Sequence, residues 1–218
     1  MNVGTRFQRQ LDILKPDVCG IKVCVVGCGA TGSFVTLSLA KMGFSNIKVF
    51  DKDTVEEHNF PNQMFPIEAL NVNKATALSK VVKDYTGVEI EAIPEFYKNQ
   101  ELEGIVISAL DSMKGRKLIY KNCKANNKVE VIFDPRTGPE MFRLLTVHPS
   151  IEASRKLYEK NFHTDKEAVQ LPCTARAIIY SVQLVSAYIC NQVKRYVMGQ
   201  PLKRDMYIDM ANFFSYAE

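Results

Sequence analysis

Gly27, Gly29 and Gly32 constrain the fold more than any other feature of the chain. They follow a short apolar, β-branched run over residues 21–26 and precede residues 31–42, whose apolar positions have helical spacing. The pattern predicts a strand, a glycine-rich turn and a helix. At such a turn the backbone N–H groups and the positive end of the helix dipole face any bound phosphate, so a nucleotide is the expected ligand.

Asp51 strengthens the interpretation of these glycines as a nucleotide site. It closes a second predicted strand, residues 47–50, 19 residues after Gly32. In a dinucleotide fold this position supplies the carboxylate that accepts bonds from ribose hydroxyls. The alternative, that the glycines only allow a helix to pack closely on a strand, accounts for Gly32 but not for the other two together with the aspartate. A Walker A loop is excluded, because Ser33 stands where its lysine is required.

Strand-like and helix-like segments alternate along the rest of the chain. This predicts an α/β fold, a Rossmann-like, doubly wound and mostly parallel sheet with antiparallel strands in the C-terminal half. We expect one domain, residues 1–218, with an N-terminal arm (1–20) and a mobile crossover loop (149–172) that holds one helical turn near residues 151–158. The other predicted elements are helices at 71–85, 112–126 and 173–197 and strands at 88–93, 105–109, 129–133 (stopping at Asp134-Pro135), 141–147 and, last, 206–210.

Composition narrows the class of protein. Of 218 residues, 46% are apolar, which is enough for one well-buried core. The net charge of +4 is dispersed, and the basic clusters are only pairs, so nucleic acid is not the expected partner. There is no run of about 18 apolar residues and the N-terminus is polar, so we expect neither a membrane span nor a secretory leader. The protein is predicted to be cytoplasmic.

The six cysteines include no CxxC pair, and the three histidines are not grouped in the sequence. Neither a disulfide framework nor a structural zinc is therefore expected. Apart from Cys173, the cysteines are interpreted as core residues.

The loop after the second strand distinguishes between kinds of nucleotide site. Asp51, Asp53, Val55 and Asn59 lie in a long polar loop that a simple dinucleotide fold does not need. They match the D-x-D-x-V-x-x-x-N motif of the ThiF/MoeB/HesA family, the adenylating enzymes related to ubiquitin-activating enzymes, and the chain resembles that family.

Two further segments carry the same resemblance. Residues 6–10 are similar to the family's R-Y-x-R-Q motif, and residues 108–112 are similar to its strand-terminal aspartate motif. The likeness covers roughly residues 6–135 and is weaker in the helix from residue 173 and in the final strand. It implies a single ThiF-type adenylation domain.

The resemblance implies an enzyme that uses ATP and Mg²⁺ to convert the C-terminal carboxylate of a small ubiquitin-like or sulfur-carrier protein into an acyl-adenylate. Lys74 stands where the family has a phosphate-binding lysine, and Asp111 where it has a magnesium ligand. Solvation of Lys74 and an N-cap role for Asp111 are the structural alternatives. The implied nucleotide-binding residues are Gly27, Gly29, Gly32, Asp51, Asp53, Asn59, Gln63 and Lys74.

Arg9 is implied to reach the ATP of a partner subunit, which requires a homodimer; a solvated arm is the alternative. One position departs from the family pattern. Asn62 precedes Gln63 where the family has an arginine that contacts the phosphates, which puts catalysis in doubt. Arg116, in the helix after Asp111, is a candidate to supply the missing cation.

Cys173 lies in Pro-Cys-Thr, similar to the motif that carries the thioester cysteine in some ubiquitin-activating enzymes. A helix N-terminus and Arg176 would favour its thiolate. Core packing is the competing interpretation.

Two other functions stay open from the sequence. An NAD(P)-dependent oxidoreductase is favoured by the glycine motif plus Asp51 alone, and a catalytically reduced regulatory subunit of an activating enzyme is favoured by Asn62. The sequence has no pattern that identifies the carrier protein.

Overall fold

The computed structural model of the chain describes residues 3–163 and 177–218, and these form one eight-stranded sheet with helices on both faces. The strands are β1 (Val23–Val26), β2 (Ile47–Phe50), β3 (Glu91–Ile93), β4 (Gly104–Ser108), β5 (Val129–Thr137), β6 (Met141–Val147), β7 (Asp205–Asp209) and β8 (Phe214–Ala217). The α-helices are α1 (Val3–Arg6), α2 (Ala30–Met42), α3 (Lys74–Thr86), α4 (Met113–Lys124), α5 (Glu152–Glu159) and α6 (Ile179–Val197). Short 3₁₀ helices lie at Pro16–Gly20, Glu57–Asn59 and Ile67–Ala69.

The strand order is β3-β2-β1-β4-β5-β6-β7-β8. The first five strands in this order are parallel, and β6, β7 and β8 are each antiparallel to the strand before them. The predicted doubly wound, mostly parallel sheet with an antiparallel C-terminal half is therefore confirmed. Since the chain reverses its direction of winding at β1, ligands are expected in the crevice at the carboxyl end of that strand.

Alternate side chains of the central strands pack into two apolar layers. Along β1, Val23 and Val25 face the layer that contains α2, α3 and α6, while Cys24 and Val26 face the layer that contains α4 and α5. All four are buried, as expected for a parallel strand covered on both faces. This rigid centre holds the loops at the carboxyl edge of the sheet.

Side-chain caps and glycines fix the helix ends close to where the sequence predicts them. Asn73 Oδ1 accepts a hydrogen bond of 3.1 Å from Thr76 N at the start of α3, and Gly87 ends that helix at φ 70°. The bounds of most elements differ from those predicted by three residues or fewer.

Three predictions about the C-terminal half, for β5, α5 and the last strand, were wrong in detail. Strand β5 does not stop at Asp134-Pro135 but continues to Thr137. Its pairing with β4 ends at Phe133, so Pro135 lies where β5 has a neighbouring strand on one side only, and proline is tolerated there. Helix α5 has eight residues rather than one turn. Strand β7 is not the last strand, because the exposed β8 follows it.

The predicted helix over residues 173–197 begins later, at Ile179. Cys173 itself and most of the second half of the predicted crossover loop lie outside the described residues. None of the helices in the described parts of the chain has both the length and the apolar character needed to cross a membrane.

Candidate nucleotide-binding site

Two glycines of the turn after β1 are required by packing. Gly27 has φ 101°, and a Cβ atom there would lie 2.4 Å from the carbonyl oxygen of Ala109. A Cβ atom on Gly32 would lie 1.8 Å from the carbonyl oxygen of Gly27. Close packing therefore explains Gly27 as well as Gly32, whereas the sequence argument assigned only Gly32 to packing.

Gly29 is different, because a Cβ atom there would have no neighbour within 4 Å. It is the N-cap of α2, and no side chain among the described residues caps this helix end. The space beside Gly29 therefore adjoins the unpaired N–H groups and the positive dipole end of a 13-residue helix, which together favour an anion.

Asp51 lies directly after β2 and joins this turn to the next loop. Its Oδ2 accepts a hydrogen bond of 2.7 Å from Cys28 N, and its Oδ1 accepts one of 2.9 Å from Asp53 N. Burial raises the pKa of Asp51, although these bonds and the charge of Lys74 act in the opposite direction. Each carboxylate oxygen has a further lone pair that can accept a hydrogen bond from a hydroxyl group.

The start of α3 is fixed to the same loop. Lys74 N donates a hydrogen bond of 2.8 Å to the carbonyl oxygen of Asp53, and Asn73 Nδ2 donates one of 2.9 Å to the carbonyl oxygen of Asp51. The half-buried Lys74 is close enough for its charge to lower the pKa of both Asp51 and Cys28. The structure thus places Lys74 near Asp51 and Cys28, and its binding of phosphate stays a prediction.

Asn59 organises the polar loop that follows. It is buried, and its Oδ1 accepts a hydrogen bond of 2.9 Å from Glu56 N. Its own carbonyl oxygen accepts a bond of 2.9 Å from Gln63 N. Gln63 Oε1 is buried and has no hydrogen-bond partner among the described residues. Nucleotide contacts of Asn59 and Gln63 stay predictions.

Asn62 and Met64 connect this loop to other elements. Asn62 Nδ2 donates a hydrogen bond of 3.0 Å to the carbonyl oxygen of Ala177, two residues before α6. Met64 N donates one of 3.0 Å to Oγ of Ser33 in α2. The amide that replaces the family's arginine is therefore used in a backbone contact.

Asp111 is exposed at the carboxyl end of β4, in the position predicted for a metal ligand. The alternative interpretation, that it caps α4, was wrong. The cap is Ser112, whose Oγ accepts a hydrogen bond of 3.2 Å from Gly115 N. Within residues 3–163 and 177–218, no three His, Cys, Asp or Glu side chains come together as a metal-binding group.

The sequence pattern of the ThiF family matches residues 16–215, which include every element of this site. The chain belongs to the ThiF family.

Curated ThiF-related sequences match parts of the chain. The catalytic subunit of the NEDD8-activating enzyme E1 of Arabidopsis thaliana is 33% identical over 108 residues, which is 45% of this chain and 23% of that protein. The SUMO-activating enzyme subunit uba-2 of Caenorhabditis elegans is 31% identical over 117 residues, 49% of this chain and 20% of that subunit. The matched segment is thus about a fifth of each relative's length.

Solved structures resemble the whole described fold. A crystal structure of PaaA has a TM-score of 0.79 at 16% identity and covers 99% of this chain and 72% of PaaA. A crystal structure of Escherichia coli MccB with AMPCPP and MccA has a TM-score of 0.76 at 16% identity, covering 100% of this chain and 72% of MccB. At this level of identity the likeness shows the fold.

Arg116 does not supply the cation that the ThiF motif lacks at Asn62. Its side chain is 8% exposed, and it donates hydrogen bonds to the carbonyl oxygens of Ser108 and Pro135, at 3.2 and 2.8 Å, and of Leu110. It also pairs with the fully buried carboxylate of Asp134. Compensation by Arg116 was a wrong hypothesis, because the guanidinium lies inside the protein.

Asp134 is the centre of that buried network, which the sequence analysis missed. Its Oδ2 accepts hydrogen bonds from Arg136 Nε at 2.9 Å and from the Tyr158 hydroxyl at 3.0 Å. The sequence does contain one indication that Arg116 is buried. Met113, Arg116, Tyr120 and Cys123 share one helical face, and the other three are apolar or aromatic, so Arg116 belonged to the buried face of α4.

The N-terminal motif is divided between two roles. Arg6 donates to the carbonyl oxygen of Thr86 at the end of α3, whereas Arg9 is exposed in the turn after α1. Arg9 is thus positioned on the surface, and its contact with a partner subunit stays a prediction.

The described cysteines are core residues, as predicted: Cys19, Cys24, Cys28, Cys123 and Cys190 are buried free thiols. Burial raises the pKa of all five, to about 11 for Cys19 and about 12 for Cys123 and Cys190.

Proposed function

We propose that the chain is an ATP-dependent adenylyltransferase that activates the C-terminal carboxylate of a small ubiquitin-like or sulfur-carrier protein. One observation carries the proposal. The glycine turn after β1, Asp51 after β2 and Asp111 after β4 meet at one edge of the sheet, and Lys74 joins them from α3.

The residues at this edge fit ATP. The space beside Gly29 and the N-terminus of α2 suits the phosphates, and Asp51, already anchored by two backbone N–H groups, has lone pairs for the ribose hydroxyls. Asp111 supplies an exposed carboxylate for Mg²⁺, a hard cation that prefers oxygen ligands. When bound, Mg²⁺ would be held by Asp111 and would offset the negative charge of the phosphates.

The proposed step joins two anions. An oxygen of the carrier's carboxylate attacks the α-phosphorus, an O–P bond forms, and the bond from that phosphorus to the bridging oxygen of the β-phosphate breaks, so that pyrophosphate leaves. No proton is transferred. Lys74 provides positive charge as negative charge moves onto pyrophosphate, and the glycine turn holds the reacting groups in position.

The relatives support this class of activity. The curated ones are named as activating enzymes for NEDD8 and SUMO. MccB has been solved with ATP and with AMPCPP and MccA. Transfer of these properties to the present chain is part of the proposal.

The proposed function has three further parts. We infer a homodimer in which Arg9 completes the partner's ATP site, and a thioester on Cys173 after adenylation. We also infer a cytoplasmic location, which the free thiols of the five described cysteines support, because cytosolic proteins keep cysteines reduced.

A second candidate function rests on Asn62. Its side chain is neutral and bonded to Ala177, so the phosphates lack the arginine that the ThiF motif provides. A regulatory subunit that binds nucleotide without turnover would have this property.

ATP–pyrophosphate exchange tests the proposal. The wild-type protein is incubated with Mg²⁺, ATP, labelled pyrophosphate and a panel of carriers that end in Gly-Gly. Exchange with at least one carrier is expected, and none with the same carrier lacking its last glycine. ATP binding without exchange for any carrier would favour the regulatory subunit, and binding of NAD in preference to ATP would support the oxidoreductase.

A further inference from the structure

Lys52 lies between Asp51 and Asp53, in the loop that follows β2 at the carboxyl edge of the sheet. Lys52 Nζ is 2.6 Å from Oδ1 of Asp53. The side chain of Lys52 is 58% exposed and that of Asp53 52% exposed, so this pair is open to solvent and to a ligand.

The ammonium is also within electrostatic range of a carboxylate that follows β4. Asp53 raises the pKa of Lys52 most, and Asp51 and Asp111 add to the effect. Asp111 follows β4, whereas Lys52 follows β2, and β1 with its glycine turn lies between these two strands. A cation that interacts electrostatically with carboxylates after both β2 and β4 is close to the glycine turn after β1, where phosphates are expected.

Two other cations among the described residues, Arg116 and Arg136, are used elsewhere. Arg116 is buried in bonds to Asp134 and to backbone carbonyls, and Arg136 Nε also pairs with Asp134. Asn62 is neutral. Lys74 and Lys52 then face three carboxylates, those of Asp51, Asp53 and Asp111. A triphosphate adds roughly four negative charges, so each ammonium contributes substantially to neutralising the site.

We propose that Lys52 is a phosphate-binding residue, which leaves Asp53 when ATP enters and binds a β- or γ-phosphate oxygen, in place of the arginine absent at Asn62. This inference rests on the proposed function. The exchange is favourable because an exposed ion pair contributes little to stability, while a triphosphate carries more charge than one carboxylate. The flexible stem of lysine allows the movement without any change in the backbone.

Calorimetric titration with Mg-ATP and with AMP tests the inference directly, because AMP lacks the β- and γ-phosphates. We expect Lys52→Gln to weaken ATP binding about 10-fold and to change AMP binding less than about 2-fold. Lys52→Arg keeps the charge and is expected to bind ATP within about 3-fold of the wild type.

Lys80→Gln is the matched control. Lys80 Nζ is also 2.6 Å from an exposed carboxylate, that of Asp84, but on the surface of α3. Its loss should leave both nucleotide affinities unchanged, which separates a local phosphate contact from a general effect of net charge.

Unchanged ATP affinity in Lys52→Gln would overturn the inference alone, as would equal losses for ATP and AMP, which would place Lys52 beside the ribose or the α-phosphate. Wild-type protein that binds no ATP would overturn the proposed function, and this inference with it. ATP binding that depends on Lys52, without pyrophosphate exchange, would overturn adenylation and leave Lys52 as a phosphate ligand.

Discussion

The backbone N–H of Cys28 donates a hydrogen bond of 2.7 Å to Oδ2 of Asp51. Cys28 lies in the glycine turn after β1, and Asp51 is the first residue after β2. The bond therefore sets the distance between the turn that faces the phosphates and the carboxylate that faces the ribose. A change at Asp51 should alter both the site and the stability of the loop that carries it.

Asp51→Asn is expected to weaken ATP binding about 10-fold or more, because an amide has one acceptor oxygen for two backbone N–H groups and carries no charge. The stability difference should also depend on pH. Burial raises the native pKa of Asp51 above its value in the unfolded chain, so the native state takes up this proton first as the pH falls. The wild type should therefore gain stability relative to Asp51→Asn as pH falls from neutral through that native pKa.

Urea unfolding at a series of pH values measures this difference. Asp84→Asn, at an exposed position on α3, is the control and should show no such gain. A wild type that loses stability relative to Asp51→Asn as the pH falls would contradict a raised native pKa of Asp51.

Two glycine substitutions separate packing from binding. Gly32→Ala should destabilise the protein by about 3 kcal/mol, since its methyl group would overlap the carbonyl oxygen of Gly27. Gly29→Ala should cost only about 1 kcal/mol or less, because alanine is a poorer N-cap than glycine but φ is −73° and no atom of the described residues lies within 4 Å. It should nevertheless lower ATP affinity about 10-fold by occupying the phosphate space. Denaturation and calorimetry on both variants check this, and normal ATP binding by Gly29→Ala would place the phosphates elsewhere.

The layout of the site could be predicted from the sequence because the carboxyl ends of parallel strands lie at the same edge of a sheet. Strand ends that carry Gly27, Asp51 and Asp111 must meet at one edge once the strands are parallel, whatever the details of packing. The same argument covers Lys74, which begins the helix after the polar loop. Hydrophobic periodicity, glycines and caps therefore predicted the fold and these strand and helix ends, whereas the roles of Lys74 and Asp111 came from the resemblance to the ThiF family and stay predictions.

Contacts between segments that are distant in the chain could not be predicted from the sequence. Arg116 pairs with Asp134, 18 residues away, and Asn62 bonds to Ala177, 115 residues away. Neither partner is encoded by a local pattern. Strand β8 was missed because all of its residues are exposed, so it has no alternation of buried and exposed positions to detect.

Arg116→Ala is expected to destabilise the protein by about 3–5 kcal/mol, because it removes the partner of a buried carboxylate and leaves three backbone carbonyls without their donor. ATP affinity of the remaining folded protein should stay close to that of the wild type. Urea unfolding and calorimetry test both statements. A stable Arg116→Ala variant with lost ATP binding would return Arg116 to the nucleotide site.

Asp111→Ala is expected to lower adenylation at least about 10²-fold while the fold stays intact, as for removal of one electrostatic stabiliser. Ser112→Ala is the neighbouring control. It removes the cap of α4 and should cost about 1 kcal/mol of stability with little effect on exchange. Pyrophosphate exchange and thermal unfolding of both variants give the comparison, and near-normal turnover of Asp111→Ala would exclude Asp111 from the site.

Cys173 is the proposed thioester nucleophile, and it can be tested against the five buried thiols as internal controls. Burial protects those five and raises their pKa, so brief alkylation of the native protein at pH 7 should modify Cys173 and spare them. Peptide mass spectrometry locates the label. Cys173→Ala should abolish a thiol-sensitive adduct with the carrier while pyrophosphate exchange continues, because adenylation precedes thioester formation. An adduct that persists in Cys173→Ala would assign the nucleophile to another residue, and labelling of a buried cysteine before Cys173 would contradict the expected order of reactivity.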